Sequence, residues 1–249
     1  MLQKKCGLAE TFDHASLIED TLKRFFPRTW DVVYYYDPKR GRTPSAEARF
    51  LSETLGNTHK LQSRRALQAY ENDLALTIRR NTGRFLPFAP ENKALAGYIM
   101  VEILDGPNDP RLRDFFGNAV LDKTPSRTLL VRLYEEFVVR HEITHGVELF
   151  ENPRHTLPPI RLRERLADAN AVLSLLRDHG EAALFFIPAL IAARDEQAKN
   201  GTGAHHQTQD ALHRVFSYVK ERGIAEFRDM DDQIVFQTAA RLANTLTPC

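Results

Sequence analysis

The feature that most constrains the fold is the near disappearance of strand signals after Asp105. From about Ser126 onward, apolar residues recur at helical spacing, and only short segments with proline or glycine interrupt them. A chain patterned in this way buries an apolar stripe of each helix against its neighbours. The pattern predicts helices over about 126–150, 159–179, 181–198, 207–222 and 227–246.

The first half of the chain differs, because it contains two segments rich in β-branched and aromatic residues. Trp30–Tyr36 and Ala96–Leu104 are predicted to be short strands, each followed by a turn that contains proline. Helical patterns occur here too, at about 13–26, 45–55 and 61–80.

These patterns predict a mainly α (α+β) fold in a single domain. We expect one domain over residues 1–249, in which 1–123 contributes a small β element and 124–249 forms the helical part. The chain shows no internal repeat, no low-complexity tract and no long linker that would divide it.

Composition excludes several classes of function. The 249 residues include 34 basic and 33 acidic side chains, and the net charge of +1 therefore does not indicate nucleic-acid binding. The longest apolar run, Ala182–Ala193, is shorter than the roughly 20 residues that span a membrane. Two cysteines and the lack of an apolar leader favour a cytoplasmic protein. Delivery elsewhere without a cleavable signal stays open, as does the oligomeric state.

A five-residue motif, His141-Glu142-Ile143-Thr144-His145, lies inside the helix predicted over 126–150. Residues four positions apart share one helical face, so both imidazoles can point at one ion. Glu142 lies at the edge of that site, where it can accept a proton from a water that the metal activates. Zinc lowers the pKa of such a water toward about 7 and polarises a carbonyl, as peptide hydrolysis requires.

Chance explains this HExxH motif poorly. Shuffling the same composition produces it about 0.02 times per chain, and here it falls where the mechanism needs a helix. The alternative is a solvated helix face that carries two histidines for no chemical reason.

A catalytic zinc takes three protein ligands, so a third is expected on a neighbouring helix. In the helix predicted after Pro159, Glu164 and Asp168 lie four residues apart and share a face. The alternative is a surface acidic pair bonded to nearby arginines. Apolar neighbours such as Leu166 and Val172 favour a buried helix instead, and buried carboxylates need a cation.

With these two motifs the sequence resembles the gluzincin zinc metallopeptidases. In those enzymes HExxH is followed by an ExxxD motif, whose glutamate is the third ligand; residues 164–168 match it, and 18 residues separate His145 from Glu164. The resemblance covers about residues 141–170. It implies a zincin-like helical domain that acts on a protein or peptide substrate.

Carried over residue by residue, the resemblance assigns the following roles. His141, His145 and Glu164 would bind one zinc ion, and Glu142 would be the general base and then the proton donor to the leaving amine. Asp168 would hold a ligand histidine in its metal-binding tautomer. The segment Tyr98–Ile103 would either pair with an extended peptide along its edge or be a plain core strand.

Other interpretations remain open at this point. The metzincin pattern is absent, because position 151 is Glu where that pattern has a histidine. His155 is a second candidate for the third ligand. A helical metal-dependent phosphohydrolase, with His141, His145 and Asp168 on one or two ions, is one alternative. A non-catalytic helical interaction or regulatory module is the other. Candidate oxyanion donors are Tyr134, His205, His206, His213 and Tyr218.

Overall fold

The computed structural model describes three long stretches with side chains and several short backbone segments. The stretches are 104–151, 158–201 and 207–244, although only the backbone is described at 149–151. Before residue 104 it describes the strands 33–36, 84–88 and 96–100 and the isolated helical positions 46, 72, 75 and 76. The helices predicted at 13–26, 45–55 and 61–80 therefore lie largely outside the described residues.

The predicted fold class, a zincin-like α+β domain, was wrong for the part of the chain that carries the site. The three long stretches are 81% helical and contain no strand. The fold of this part is therefore helical. The physical reason is visible in the sequence, because the apolar spacing after residue 105 is helical throughout and no β-branched run offers a strand to pair.

The strands described before residue 104 are short. They are β1 (Val33–Tyr36), β2 (Arg84–Phe88) and β3 (Ala96–Met100), in the order β1-β3-β2. β3 pairs in parallel with β1 and antiparallel with β2. Because β3 is central, both of its edges are occupied over Ala96–Met100, which favours the core strand over the peptide-binding edge. β2 contains a proline, Pro87, and was not among the predicted strands.

The helices of the described stretches follow one another closely. They are α1 (Pro110–Phe116), α2 (Asn118–Leu121), α3 (Arg127–Glu151), α4 (Ile160–His179), α5 (Phe186–Lys199), α6 (Gln209–Arg222), α7 (Ala225–Arg228) and α8 (Asp232–Asn244), with a 3₁₀ turn at Gly180–Ala183 between α4 and α5.

Most of the predicted helices are confirmed, with three differences. α1 and α2 were not predicted, although Asp109 followed by Pro110 is a helix start and the Asp109 side chain accepts from the N–H of Arg111. The helix expected over 227–246 is divided into α7 and α8. Asp231 divides it, because its carboxylate accepts from the N–H of Ile234 and starts α8 there.

α4 is the central helix of this part of the molecule. Every residue from Glu164 to Arg177 is buried, and α3, α6, α7 and α8 all pack against it. The end of α4 is at Gly180, as predicted, where a positive φ of 58° suits glycine and the N–H bonds to the carbonyl of Leu176. A helix buried all round must pair each of its polar side chains.

The apolar core surrounds α4 and extends to the site through aromatic rings. Phe186 is fully buried and contacts Phe116 and Phe137, whose ring centroids lie 6.1 Å and 5.5 Å away. Phe137 in turn lies 5.8 Å from the ring of His141. One side of His141 therefore faces an apolar wall that excludes water. Within the described residues, no helix is both long and apolar enough to span a bilayer.

Candidate metal centre

The crossing of α3 and α4 brings together the residues that the two sequence motifs contain. α3 contributes His141 and His145, one helical turn apart, and the first turns of α4 contribute Glu164. All three are buried, and each offers a ligand atom to a group whose members lie within 4.8 Å of one another. This group, which we call the metal cluster (His141, His145 and Glu164), could hold a metal ion.

The spacing of the metal cluster fits a tetrahedral ion. The two Nε2 atoms of His141 and His145 lie 3.2 Å apart. Glu164 Oε2 lies 3.2 Å from Nε2 of His141, and Oε1 lies 3.5 Å from Nε2 of His145. Ligand atoms bonded at about 2.0–2.1 Å to a tetrahedral ion are separated by about 3.3 Å. The two Nε2 atoms have nearly this separation, and each has one oxygen of the Glu164 carboxylate at a comparable distance.

In each imidazole ring, the outer nitrogen, Nδ1, which points away from the cluster, faces a carboxylate. His141 Nδ1 lies 2.8 Å from Asp168 Oδ1, and His145 Nδ1 lies 3.3 Å from Glu148 Oε2. An ionised carboxylate only accepts hydrogen bonds, so each Nδ1 must carry the hydrogen. In a neutral imidazole this leaves the lone pair on Nε2, which points into the cluster. Both histidines are thus held in the tautomer that binds metal.

Asp168 is the most strongly held of these carboxylates. It is completely buried and accepts from Nε of Arg194 at 3.0 Å and from Nη2 at 2.9 Å. The hydroxyl of Thr208, just before α6, also donates to it. Four donors from three neighbouring elements therefore converge on one side chain. The position predicted for Asp168, beside a histidine of the motif, agrees with these contacts.

The charges in this region shift two pKa values in opposite directions. Burial by itself would lower the pKa of His141, but its hydrogen bonds to Asp168 and Glu164 and the charges of Asp168 and Glu142 raise it to about 10. Burial would raise the pKa of Asp168, but the charges of Arg194 and His141 hold it far below its usual range. The carboxylates around His141 therefore favour a positive charge at this position.

Charged groups surround the two histidines. Four carboxylates lie around them, and two guanidinium groups contact these carboxylates. The carboxylates are Glu142, Glu148, Glu164 and Asp168, and the guanidinium groups are those of Arg163 and Arg194. Buried carboxylates are stable where they are paired or coordinate a cation.

Glu142, the predicted general base, is buried in α3 next to His141. Its charge contributes to the raised pKa of that histidine. A buried carboxylate at this position matches the arrangement that an HExxH motif requires.

The remaining candidates from the sequence either are described by other contacts or lie outside the described residues. His155, His205 and His206 fall outside them. Tyr134 is buried in the aromatic core against Phe115 and Phe116, and His213 is exposed on α6. Tyr218 packs against Phe227.

Sequence reasoning missed the contributions of Arg194, Thr208 and Glu148 to the site. Arg194 is 26 residues and Thr208 40 residues from Asp168, so no local spacing marks them. Glu148 was the one with a usable signal, since it follows His145 by three residues on the same helical face.

Comparison with known proteins adds no family to this picture. No family model matches the chain, no curated protein is similar to it, and no solved structure matches it. The case for a function therefore rests on the geometry and charge of the metal cluster.

Proposed function

We propose that this chain is a zinc-dependent metallopeptidase with a gluzincin-type ligand set. The observation that carries the proposal is the convergence of His141 Nε2, His145 Nε2 and the Glu164 carboxylate, whose two oxygens each lie near one of the imidazoles. Glu142, the carboxylate of the same motif, is buried and lies next to His141 in the sequence. Two imidazoles and one carboxylate with a fourth position open is the ligand set of catalytic zinc in peptidases.

Each of these side chains has a definite task. His141, His145 and Glu164 would hold the ion, and Asp168 would keep His141 in the tautomer with its Nε2 lone pair free. When bound, zinc would supply a water of lowered pKa and a polarised peptide carbonyl. Glu142 would take the proton from the attacking water and pass it to the nitrogen of the leaving amine. The buried setting strengthens each of these electrostatic effects.

The geometry favours a peptidase over the helical phosphohydrolase. That alternative needs Asp168 on the ion together with the two histidines. Asp168 instead contacts the outer nitrogen of His141 and is occupied by Arg194 and Thr208. Glu142 argues against a purely structural metal site, because a structural site needs no additional buried carboxylate beside its ligands.

The first experiment is elemental mass spectrometry on protein purified without added metal. We expect about one zinc per chain in the wild type and its loss in Glu164→Ala, with Glu221→Ala, an exposed site on α6, as the matched control. Manganese or iron at one or two ions per chain would instead support the phosphohydrolase. Wild-type protein that takes up no metal under any loading condition would refute both enzymes.

The second experiment tests the general base. A library of peptides from a proteome digest would be incubated with zinc-loaded wild type and with Glu142→Gln, and new termini would be identified by mass spectrometry. We expect cleavage by the wild type and a rate about 10²–10⁴-fold lower in the variant, with zinc content unchanged. Equal cleavage by both proteins would contradict the assignment of Glu142.

A further inference from the structure

We propose that Glu148, held by Arg163, positions the second histidine ligand, an inference that rests on the proposed function. Glu148 Oε2 lies 3.3 Å from Nδ1 of His145. The same oxygen accepts from Nε of Arg163 at 3.4 Å. Within the described residues, Glu148 therefore contacts Nδ1 of His145 in the same way that Asp168 contacts Nδ1 of His141.

The local structure explains why these groups meet. Glu148 follows His145 by three residues in α3, so the two side chains lie one above the other on the same face. Arg163 immediately precedes Glu164 in the first turn of α4. The start of α4 therefore brings two charges to α3 together: the carboxylate of the third ligand and the guanidinium that holds Glu148.

Burial supports a specific role for this carboxylate. Glu148 is 7% exposed, while the Arg163 side chain, at 20%, lies nearer the surface. A carboxylate in such a place loses hydration, which a histidine N–H and a guanidinium can replace. An arginine alone would have satisfied a structural carboxylate. The second contact of Glu148, to His145 of the metal cluster, indicates that Glu148 positions this imidazole ring.

The chemical consequence concerns the donor atom of His145. Because the carboxylate accepts the Nδ1 hydrogen, it fixes the ring orientation, leaves the Nε2 lone pair toward the ion and makes it a better donor. Loss of such a partner typically lowers metal affinity by about 10–100-fold. Glu148 acts through His145 and not on the substrate.

The test compares Glu148→Ala with Glu148→Gln by zinc titration against a competing chelator. We expect affinity to fall about 10–100-fold in the alanine variant and by less in the glutamine variant, whose amide oxygen still accepts from Nδ1–H. Nitrogen-15 NMR of the zinc-loaded proteins should show His145 with Nδ1–H in the wild type and in Glu148→Gln. That signal should weaken or exchange rapidly in Glu148→Ala.

Two further variants keep the test decisive. Arg163→Met should lower zinc affinity more mildly than Glu148→Ala, and it serves if the alanine variant does not fold. Asp232→Asn is the matched control, because Asp232 is a buried carboxylate paired with an arginine, Arg177, away from the cluster. It should lower stability and leave zinc affinity unchanged.

The outcomes separate this inference from the proposed function. Wild-type affinity in both Glu148 variants, while His145→Ala loses the metal, would overturn the role of Glu148 alone. No zinc bound by the wild type would overturn both. An equal loss of affinity in Asp232→Asn would reduce the effect to general destabilisation and would also overturn the inference.

Discussion

Two clusters of charged side chains involve α3 and α4, and they differ in how their polar atoms are arranged. The first is the metal cluster with its surrounding carboxylates, in which two imidazoles and one carboxylate turn ligand atoms toward one another. The second, which we call the ionic cluster, lies toward the other end of the same helices and pairs side chains with one another. Its members are Glu136, Arg140, Arg177, Asp178, His179 and Asp232.

In the ionic cluster, charged side chains form ion pairs with one another. Arg140 bonds both Glu136 and Asp178, and Arg177 bonds both Asp178 and Asp232. Three carboxylates meet two guanidinium groups, and His179 Nε2 lies 2.7 Å from Glu136 Oε2. A cluster of this kind holds helices together. The comparison teaches that convergence of ligand atoms, and not the burial of charge as such, distinguishes a group that could hold a metal ion.

The largest expected effect separates the clusters by metal binding. If the three ligands share a zinc binding free energy of about 12 kcal/mol, one of them accounts for about 4 kcal/mol, or about a thousandfold in affinity. His141→Ala should therefore lose zinc, whereas His179→Ala, the matched histidine of the ionic cluster, should keep it. Chelator competition measures both, and retention of zinc by His141→Ala would contradict the proposed site.

The next effect compares two buried arginines. Arg194→Met and Arg177→Met each remove one partner of a buried ion pair, so each should lower the free energy of unfolding by about 3–5 kcal/mol. Only Arg194→Met should also lower zinc affinity, by about 10–100-fold, because Arg194 holds Asp168 and Asp168 holds His141. Urea unfolding and zinc titration of both variants check this. Equal zinc affinity in Arg194→Met and Arg177→Met would contradict the role proposed for Arg194.

A smaller effect appears in the pH dependence of the metal-free protein. The pKa of His141 is raised from 6.5 to about 10, so its contribution to stability is present below pH 6.5 and is lost as the pH rises to about 10. The loss is about 1.4 kcal/mol per pH unit. Bound zinc should abolish this slope, because the histidine is then already deprotonated.

The ionic cluster should respond with the opposite sign. Burial would raise the pKa of Glu136, but His179 and Arg140 lower it below its ordinary 4.5. Its contribution is therefore present above pH 4.5 and is lost as the pH falls through the lowered value. Urea unfolding with a chelator present, from acid to alkaline pH, measures both limbs. If the free energy of unfolding of the metal-free protein does not fall between about pH 7 and 9, the predicted contribution of His141 is wrong.

The smallest expected effect concerns one hydroxyl. Thr208→Val removes a hydrogen bond to the buried Asp168 without changing the size of the side chain. We expect stability to fall by about 1.5–3 kcal/mol, the usual worth of a bond to a charged group, and zinc affinity to fall a few-fold. Calorimetric unfolding of the variant checks the first value. An unchanged unfolding temperature would show that Arg194 alone holds Asp168.

The sequence allowed the centre of the site to be predicted because its geometry is local. HExxH and ExxxD each place two side chains on one face of one helix, and helical periodicity alone establishes that face. Apolar neighbours also predicted correctly that α4 is buried around Glu164 and Asp168. What joins the two motifs is one helix–helix contact between consecutive helices.

The rest depends on distant contacts that no spacing encodes. Arg194 and Thr208 reach Asp168 from α5 and from the segment before α6, and only the packed bundle brings them there. The α+β fold class failed for a related reason. The small β element was predicted from strand-like segments in the first half of the chain, whereas the three long described stretches are helical and contain no strand.

Asp168 has a consequence for the motions of the protein. This single carboxylate links α4 to His141 on α3, to Arg194 on α5 and to Thr208 at the start of α6. Opening any one of these segments breaks a bond that the others share, so they should exchange their amide hydrogens as one cooperative unit. An ion that immobilises His141 would then slow exchange across all four segments at once.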